Sequence, residues 1–233
     1  MRLRVPSFNV GDGLALDGRR SWPLRREAAT RAVARLWAEV VGLQEVHGFQ
    51  QRHLVHGFER YLACGAGRDD GRARGERCAV LYDARRLALE DCRAGWFSET
   101  PDVPGVMSWG GPRPRVATLA WFAAAPGAAD EGDGTDEPAR FAVANVRGDG
   151  ASAPARLRSA EALLVRIDDG LAWVVLGDLT TAADDPSVWR LLDAGLRDPL
   201  GHLGAGGPGA ETHHHWDDRT DWTRGGDHVE DDA

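Results

Sequence analysis

The sequence predicts an α/β protein organised around parallel strands. Two strand–helix–strand units, at 2–44 and 140–177, carry this expectation, and so do the one-sided apolar stripes of their helices. A helix that crosses between two strands of one sheet makes them parallel. Their C-terminal ends then share one edge, the usual place for a ligand crevice in such sheets.

Residues 2–9 (RLRVPSFN) alternate as a half-buried strand does, with Pro6 marking an edge or a bulge. A helix over 22–37 follows, with Ser21 placed to cap it and Pro23 in its first turn. Its apolar positions Leu24, Ala28, Ala32, Val33 and Leu36 form one stripe, and 39–44 (EVVGLQ) is the next strand, ending at Glu45. Strands at 77–83 and 115–124 come next, with a Pro- and Trp-containing loop at 96–114 between them. Residues 125–138 are an acidic solvated insertion. The second unit has a strand at 140–146 and a helix at 153–168 behind Ser152, with Gly170 just past its end. A buried strand at 171–177 delivers Asp178, and a short helix at 186–194 sits behind Asp185. Residues 200–211 are Gly-rich loop, and the last 22 residues show almost no strand or helix pattern.

With 233 residues, 42% of them hydrophobic and 27% charged, the chain has the composition of an ordinary soluble globular protein and reads as a single domain over 1–233. No apolar run approaches a membrane span, and the N-terminus lacks the apolar core of a signal peptide, so a cytoplasmic location is expected. Cys64, Cys78 and Cys92 form no C-x-x-C pair and read as reduced thiols. Net charge −8 argues against a broad basic surface that grips nucleic acid through its phosphates alone, although a nuclease that borrows metal ions stays open. All 28 basic side chains are Arg, and the only Asn residues are Asn9 and Asn145. No G-x-S-x-G elbow is present, and GAGRDDG at 65–71 lacks the spacing of a dinucleotide loop. Trp37, Trp173 and Trp189 are expected in or near the core; Trp96 and Trp109 either stack on a ligand or pin the 96–114 loop. The run His213–His215 reads as a solvated loop.

The expected strand ends carry Asn9, Glu45, Asn145 with Asp149, and Asp178. Two carboxylates and an amide suit a hard cation such as magnesium or manganese, the usual apparatus of phosphodiester or phosphomonoester hydrolysis. Acids that merely begin loops are the competing reading.

At these residues the chain resembles the endonuclease/exonuclease/phosphatase (DNase-like) family. The resemblance runs in order through SFNV at 7–10, GLQEV at 42–46, GRDDG at 67–71, GE at 75–76 and WFSETPDVPG at 96–105. It continues through SWG at 108–110, PRVAT at 114–118, NVRGDG at 145–150, ARLRSAEALL at 155–164, GDLT at 177–180 and THHHW at 212–216. It implies a four-layer α/β/β/α sandwich, two facing mixed β-sheets flanked by helices. By the same resemblance Glu45 is the magnesium-binding glutamate, Asn9 helps place metal and phosphate, and Asp178 activates the attacking water. RGGDHV at 224–229 puts Asp227 on the family's late aspartate, with Asp221 the other candidate. Arg68 is placed near the phosphate cleft.

Departures from the family pattern are equally visible. Arg147 stands where N-T-H-L-D-H has a phosphate-contacting histidine, while Asn145 and Asp149 are kept. An arginine binds phosphate but does not exchange protons near neutral pH. Thr180 replaces the last residue of G-D-F-N, and no S-D-H element is reached before Ala233; His228 belongs to the preceding element. Two functions are therefore expected. One is a metal-dependent hydrolase of phosphate esters, with Mg2+ or Mn2+ on Glu45, Asn9 and Asp227. Asp178, Asp149 and Thr180 would serve catalysis, and Asn145, Arg147 and Arg68 the substrate. The other is an impaired relative that binds phosphate or metal without turnover. The substrate is a small phosphate ester or a nucleic acid; no protein partner is indicated and a monomer is expected.

Overall fold

Strand alternation sorts the apolar residues into two opposite faces, and the computed structural model shows what each face covers. It describes residues 1–127, 138–167 and 170–199. The middle of the acidic insertion, the 200–211 loop, His213–His215, Asp221, Asp227 and His228 lie outside the described residues. Elements run β1 (Ser7–Asn9), a 3-10 turn (Gly18–Arg20), α1 (Trp22–Arg35), β2 (Val40–Val46), α2 (Gly48–His56), β3 (Tyr61–Cys64) and β4 (Arg77–Asp83). They continue with β5 (Leu87–Trp96), β6 (Val116–Ala124), β7 (Arg140–Arg147), α3 (Ala153–Leu164), β8 (Ala172–Asp178) and α4 (Pro186–Asp193).

The strands make two mixed four-stranded sheets, ordered β1-β2-β4-β3 and β5-β6-β7-β8. In each, one parallel pair is joined through a helix: β1 with β2 through α1, and β7 with β8 through α3; the remaining pairings are antiparallel. On β2 and β4, Val40, Val80 and Tyr82 face the other sheet and pack with Leu87, Ala120, Phe122, Phe141, Val143 and Leu176. Their alternate neighbours Val41, Leu43, Ala79 and Leu81 face outward, under Trp22, Ala29 and Val33 of α1 and Leu54 of α2. On the far side, Ala160 and Leu163 of α3 and Leu191 of α4 line one cavity with Val146 of β7. The result is the four-layer α/β/β/α sandwich, and Met1–Ala194 form one compact unit. No described helix is long and apolar enough to cross a membrane.

Two devices let the sheets approach where the strands end. Gly42 has no side chain because a Cβ there would lie 1.7 Å from Leu176 Cδ1. Beside it the β2–β4 register shifts between Leu43 and Val46, a bulge that breaks the ladder. Asn145, fully buried on β7, reaches across and donates to Leu43 O (3.0 Å) and Ala79 O (2.7 Å), and its Oδ1 accepts from Gln44 Nε2 (2.7 Å). A single amide of one sheet thus bonds a backbone carbonyl on each of two strands of the other, next to the irregularity.

Several boundaries differ from expectation. The first strand is only Ser7–Asn9, since Pro6 lacks the N–H a longer ladder needs. Helices α1 and α3 stop at Arg35 and Leu164, shorter than their apolar patterns. Trp37 and Trp189 are 65% and 56% exposed, not core. Trp37 ends α1 at a positive φ of 44° and lies under the Arg60 guanidinium, so its ring caps the surface. Trp96 is buried and its Nε1 donates to Arg68 O (2.6 Å), which pins the 96–114 loop to the body.

Candidate active site

Asn9, Glu45, Arg147 and Asp178 meet at the edge where the two parallel pairs end. Asn9 closes β1 and pairs in register with Gln44 of β2. Glu45 follows within the bulge, at a positive φ of 57°. A regular strand would alternate Glu45 to the opposite face from Gln44; the bulge instead aims it at the strand ends. Across the gap, Arg147 of β7 and Asp178 of β8 are register partners.

Asn9 ties the two sheets together. Its Nδ2 donates to Glu45 Oε1 (2.9 Å) and to Asp178 Oδ2 (2.8 Å), and its Oδ1 accepts from Gly11 N (2.9 Å). Because a carboxylate only accepts, the amide orientation follows from its partners.

Arg147 lies between the acids. Its NH2 is 2.6 Å from Glu45 Oε1, its NH1 3.1 Å from Glu76 Oε2, and its Nε 3.9 Å from Asp178 Oδ2. Glu76 is buried and also holds Arg68 NH1 at 2.6 Å, with Arg113 further out at 3.8 Å. Arg68, Glu76, Arg77, Arg115 and Arg147 line one small pocket together with Glu45 and Cys78. Burial pushes the Cys78 thiol up to about 12, against the lowering field of Arg147.

A loop behind Glu45 is braced from α1 and α2. Arg25 donates to the carbonyls of Val10, Gly11 (3.0 Å) and Asp12 (3.3 Å), and burial lowers its guanidinium below the ordinary value. Buried Gln50 donates to Gly11 O (3.0 Å) and accepts from His47 N (2.9 Å). The loop so held presents Asp12 N to Glu45 Oε2 at 2.9 Å.

Of the other expected site residues, Asp149 and Asn145 stand apart from this group, while Thr180 touches it through its backbone. Asp149 is fully buried; its Oδ1 accepts from Ala151 N and Ser152 N (2.9 Å each), and its Oδ2 from Arg115 Nε (3.2 Å), which shapes the turn into α3. Asn145 is the cross-sheet clamp already described. Thr180 donates its N–H to Asp178 Oδ1 (2.9 Å), while its hydroxyl turns to Leu179 O (2.8 Å). Glu76, Asp12, His47 and Arg115 were not expected in the site. The GE pair at 75–76 and PRVAT at 114–118 were the available signals for Glu76 and Arg115, and neither carried a role.

The group's fit to a divalent cation can be tested on its donors. Asn9 turns N–H groups, not oxygen, toward both carboxylates. Glu45 Oε1 already accepts from Asn9 and Arg147, and Oε2 from Asp12 N. Asp12, His47 and Glu76 do bring one potential ligand atom each within 4.8 Å of one another. However, the His47 ring caps α2 by accepting a backbone N–H, and its Nε2 faces Asp12 Oδ1 at 2.9 Å. A ring nitrogen that faces a carboxylate carries the hydrogen and has no lone pair for a metal. Glu76 is engaged by two guanidinium groups. Among the described residues, neither set in this arrangement fits a divalent ion.

Facing mixed sheets with helices outside, and polar residues gathered at the strand ends, define the class: the chain has the endonuclease/exonuclease/phosphatase fold. An endonuclease/exonuclease/phosphatase from Bacteroides vulgatus matches with TM-score 0.74 and 25% identity, over 82% of this chain and 70% of that one. The mannosyl-6-phosphatase of Bacteroides thetaiotaomicron matches with TM-score 0.74 and 24% identity, over 83% and 71%. D. rerio TDP2, complexed with a single-strand DNA product, matches with TM-score 0.61 and 18% identity, over 85% and 69%. No family model matches the sequence, and no curated protein matches it.

Proposed function

We propose that this chain takes phosphate esters at the strand-edge site and hydrolyses them. The pairing of Arg147 with Asp178 across β7 and β8, beside Asn9 and Glu45, carries the reading. It places a fixed cation next to a carboxylate that backbone and side-chain donors hold in place. Neighbours with this fold that are described as phosphatases, or as bound to a DNA product, support the substrate class.

In this scheme the ester phosphate lies against Arg147, with Arg68 behind it, and their guanidinium groups offset the negative charge of the phosphoryl oxygens. Asp178 accepts the proton of a water that attacks phosphorus in line with the leaving oxygen. Asn9 Nδ2 and Thr180 N keep one Asp178 oxygen each in position. Glu45 orients Arg147. Magnesium or manganese, expected from the resemblance, enters no step because Glu45 and Asn9 are engaged as described.

A second reading is that the site binds phosphate without turnover. Arg147 favours it, since a guanidinium cannot protonate a leaving group as the histidine of the family pattern does. Turnover of bis-p-nitrophenyl phosphate and p-nitrophenyl phosphate, with Mg2+ and then with EDTA, decides between them. Hydrolysis predicts that Asp178→Asn lowers kcat about 10²–10⁴-fold, the usual loss for a general base. No turnover by folded wild type sinks the hydrolase and leaves the binder.

A further inference from the structure

We infer that Arg147 is the resident cation of this site and excludes a divalent metal ion from Glu45, so that a phosphate group binds without metal. The inference rests on the phosphate-ester reading above and adds how the site balances charge. Among the described residues, Glu45, Glu76 and Asp178 are the carboxylates around the Arg147 guanidinium, at 2.6, 3.1 and 3.9 Å. Arg68 and Arg113 reach the same Glu76, so three acids already face three guanidinium groups. A dication added at Glu45 would sit beside the fixed positive charge of Arg147, which already neutralises that carboxylate.

Arg147 is also held from behind. Glu76 is buried, and its Oε2 accepts from both Arg68 and Arg147. Swinging Arg147 aside would leave that buried carboxylate with one close partner, the arrangement that buried ion pairs resist most. The Glu45 end is closed as well. Oε1 takes Asn9 and Arg147, and Oε2 takes the Asp12 N–H from a loop that Arg25 and Gln50 pin in place. A guanidinium keeps its charge over the whole working pH range and offers several donors in a plane, which suits phosphate oxygens. The second candidate group, Asp12–His47–Glu76, is closed by the His47 hydrogen that faces Asp12.

Two measurements on the full chain test this, and neither depends on turnover. The first is calorimetric titration of inorganic phosphate in EDTA and again with Mn2+. The second is Mn2+ binding, followed by loss of the free-ion EPR signal, to wild type and to Arg147→Ala. Arg147→Gln replaces the alanine variant if circular dichroism shows that variant unfolded. Wild type is expected to bind phosphate equally in both conditions and to leave millimolar Mn2+ free. Removal of Arg147 is expected to weaken phosphate by about tenfold or more, the loss of one charge-assisted contact, and to open Mn2+ binding. Phosphate binding that requires Mn2+ overturns the inference. So does Mn2+ binding by wild type as tight as by the variant, or no Mn2+ binding by either. If folded wild type binds no phosphate under either condition, the phosphate-ester reading fails. The comparison of Mn2+ binding by wild type and variant then still decides whether Arg147 holds the cation's place.

Discussion

Thr180 adopts φ 53°, in the left-handed region that β-branched residues avoid. Its hydroxyl is turned back to Leu179 O, away from the Asp178 carboxylate that its N–H serves. Asparagine tolerates this backbone far better, because its short polar side chain bonds locally. Thr180→Asn should therefore stabilise the fold by about 1 kcal/mol, the low end of the strain at such positions, read as a shift in urea midpoint. Glu45 holds a comparable φ of 57°, but there the strain aims a site carboxylate. Arg147 and Asp178 were both marked in the sequence as site positions. Their mutual contact was not legible, because it depends on β7 and β8 pairing in register, 31 positions apart.

At the level of elements, the β2 bulge and α4 make contrasting predictions. Asn145→Ala removes the donor to Leu43 O and Ala79 O and the acceptor for Gln44 Nε2, all inside the sandwich. Losing three buried bonds at once, and leaving a void at the seam of the two sheets, should cost about 2–4 kcal/mol in chemical denaturation. A surface contact would cost far less. The α4 cap is sensitive to acid instead. Burial alone would push the Asp185 carboxyl up, but hydrogen bonds from the Ser187 side chain and backbone, Arg156 and Thr181 hold it well below the usual carboxylate range. The stability it supplies is present above an ordinary aspartate pKa of about 4 and is lost as pH falls toward its folded value. Asp185→Ala should cost about 1–2 kcal/mol at pH 7, and the gap to wild type should narrow in denaturation curves taken below about pH 4. The strand expected at 77–83 forms over those residues, and the caps Ser152 and Asp185 do bond the first turns of α3 and α4. Elements α2, β3 and β5 had no such signal. Fully buried Gln50 breaks the apolar stripe of α2, and β5 is an edge strand whose register shifts between Leu89 and Asp91.

For the whole molecule, the continuous apolar runs of β2, β4, β6 and β7 and the two helical crossovers are local properties of the chain. They were enough to predict parallel pairs whose ends carry Asn9, Glu45, Asn145 with Asp149, and Asp178; Arg147 was marked only through the family resemblance. The sequence by itself thus determined the class of architecture and most of the residues at the candidate site. Tertiary structure alone decided what those residues do to one another. It set Asn145 and Asp149 to buried structural bonds, drew in Glu76 from β4's leading edge, and brought the Arg147 guanidinium onto Glu45. The reason is that charge compensation is a property of distance. Glu45, Glu76, Arg147 and Asp178 are scattered along the chain, and only the close approach of two sheets around Gly42 sets which acid each cation meets.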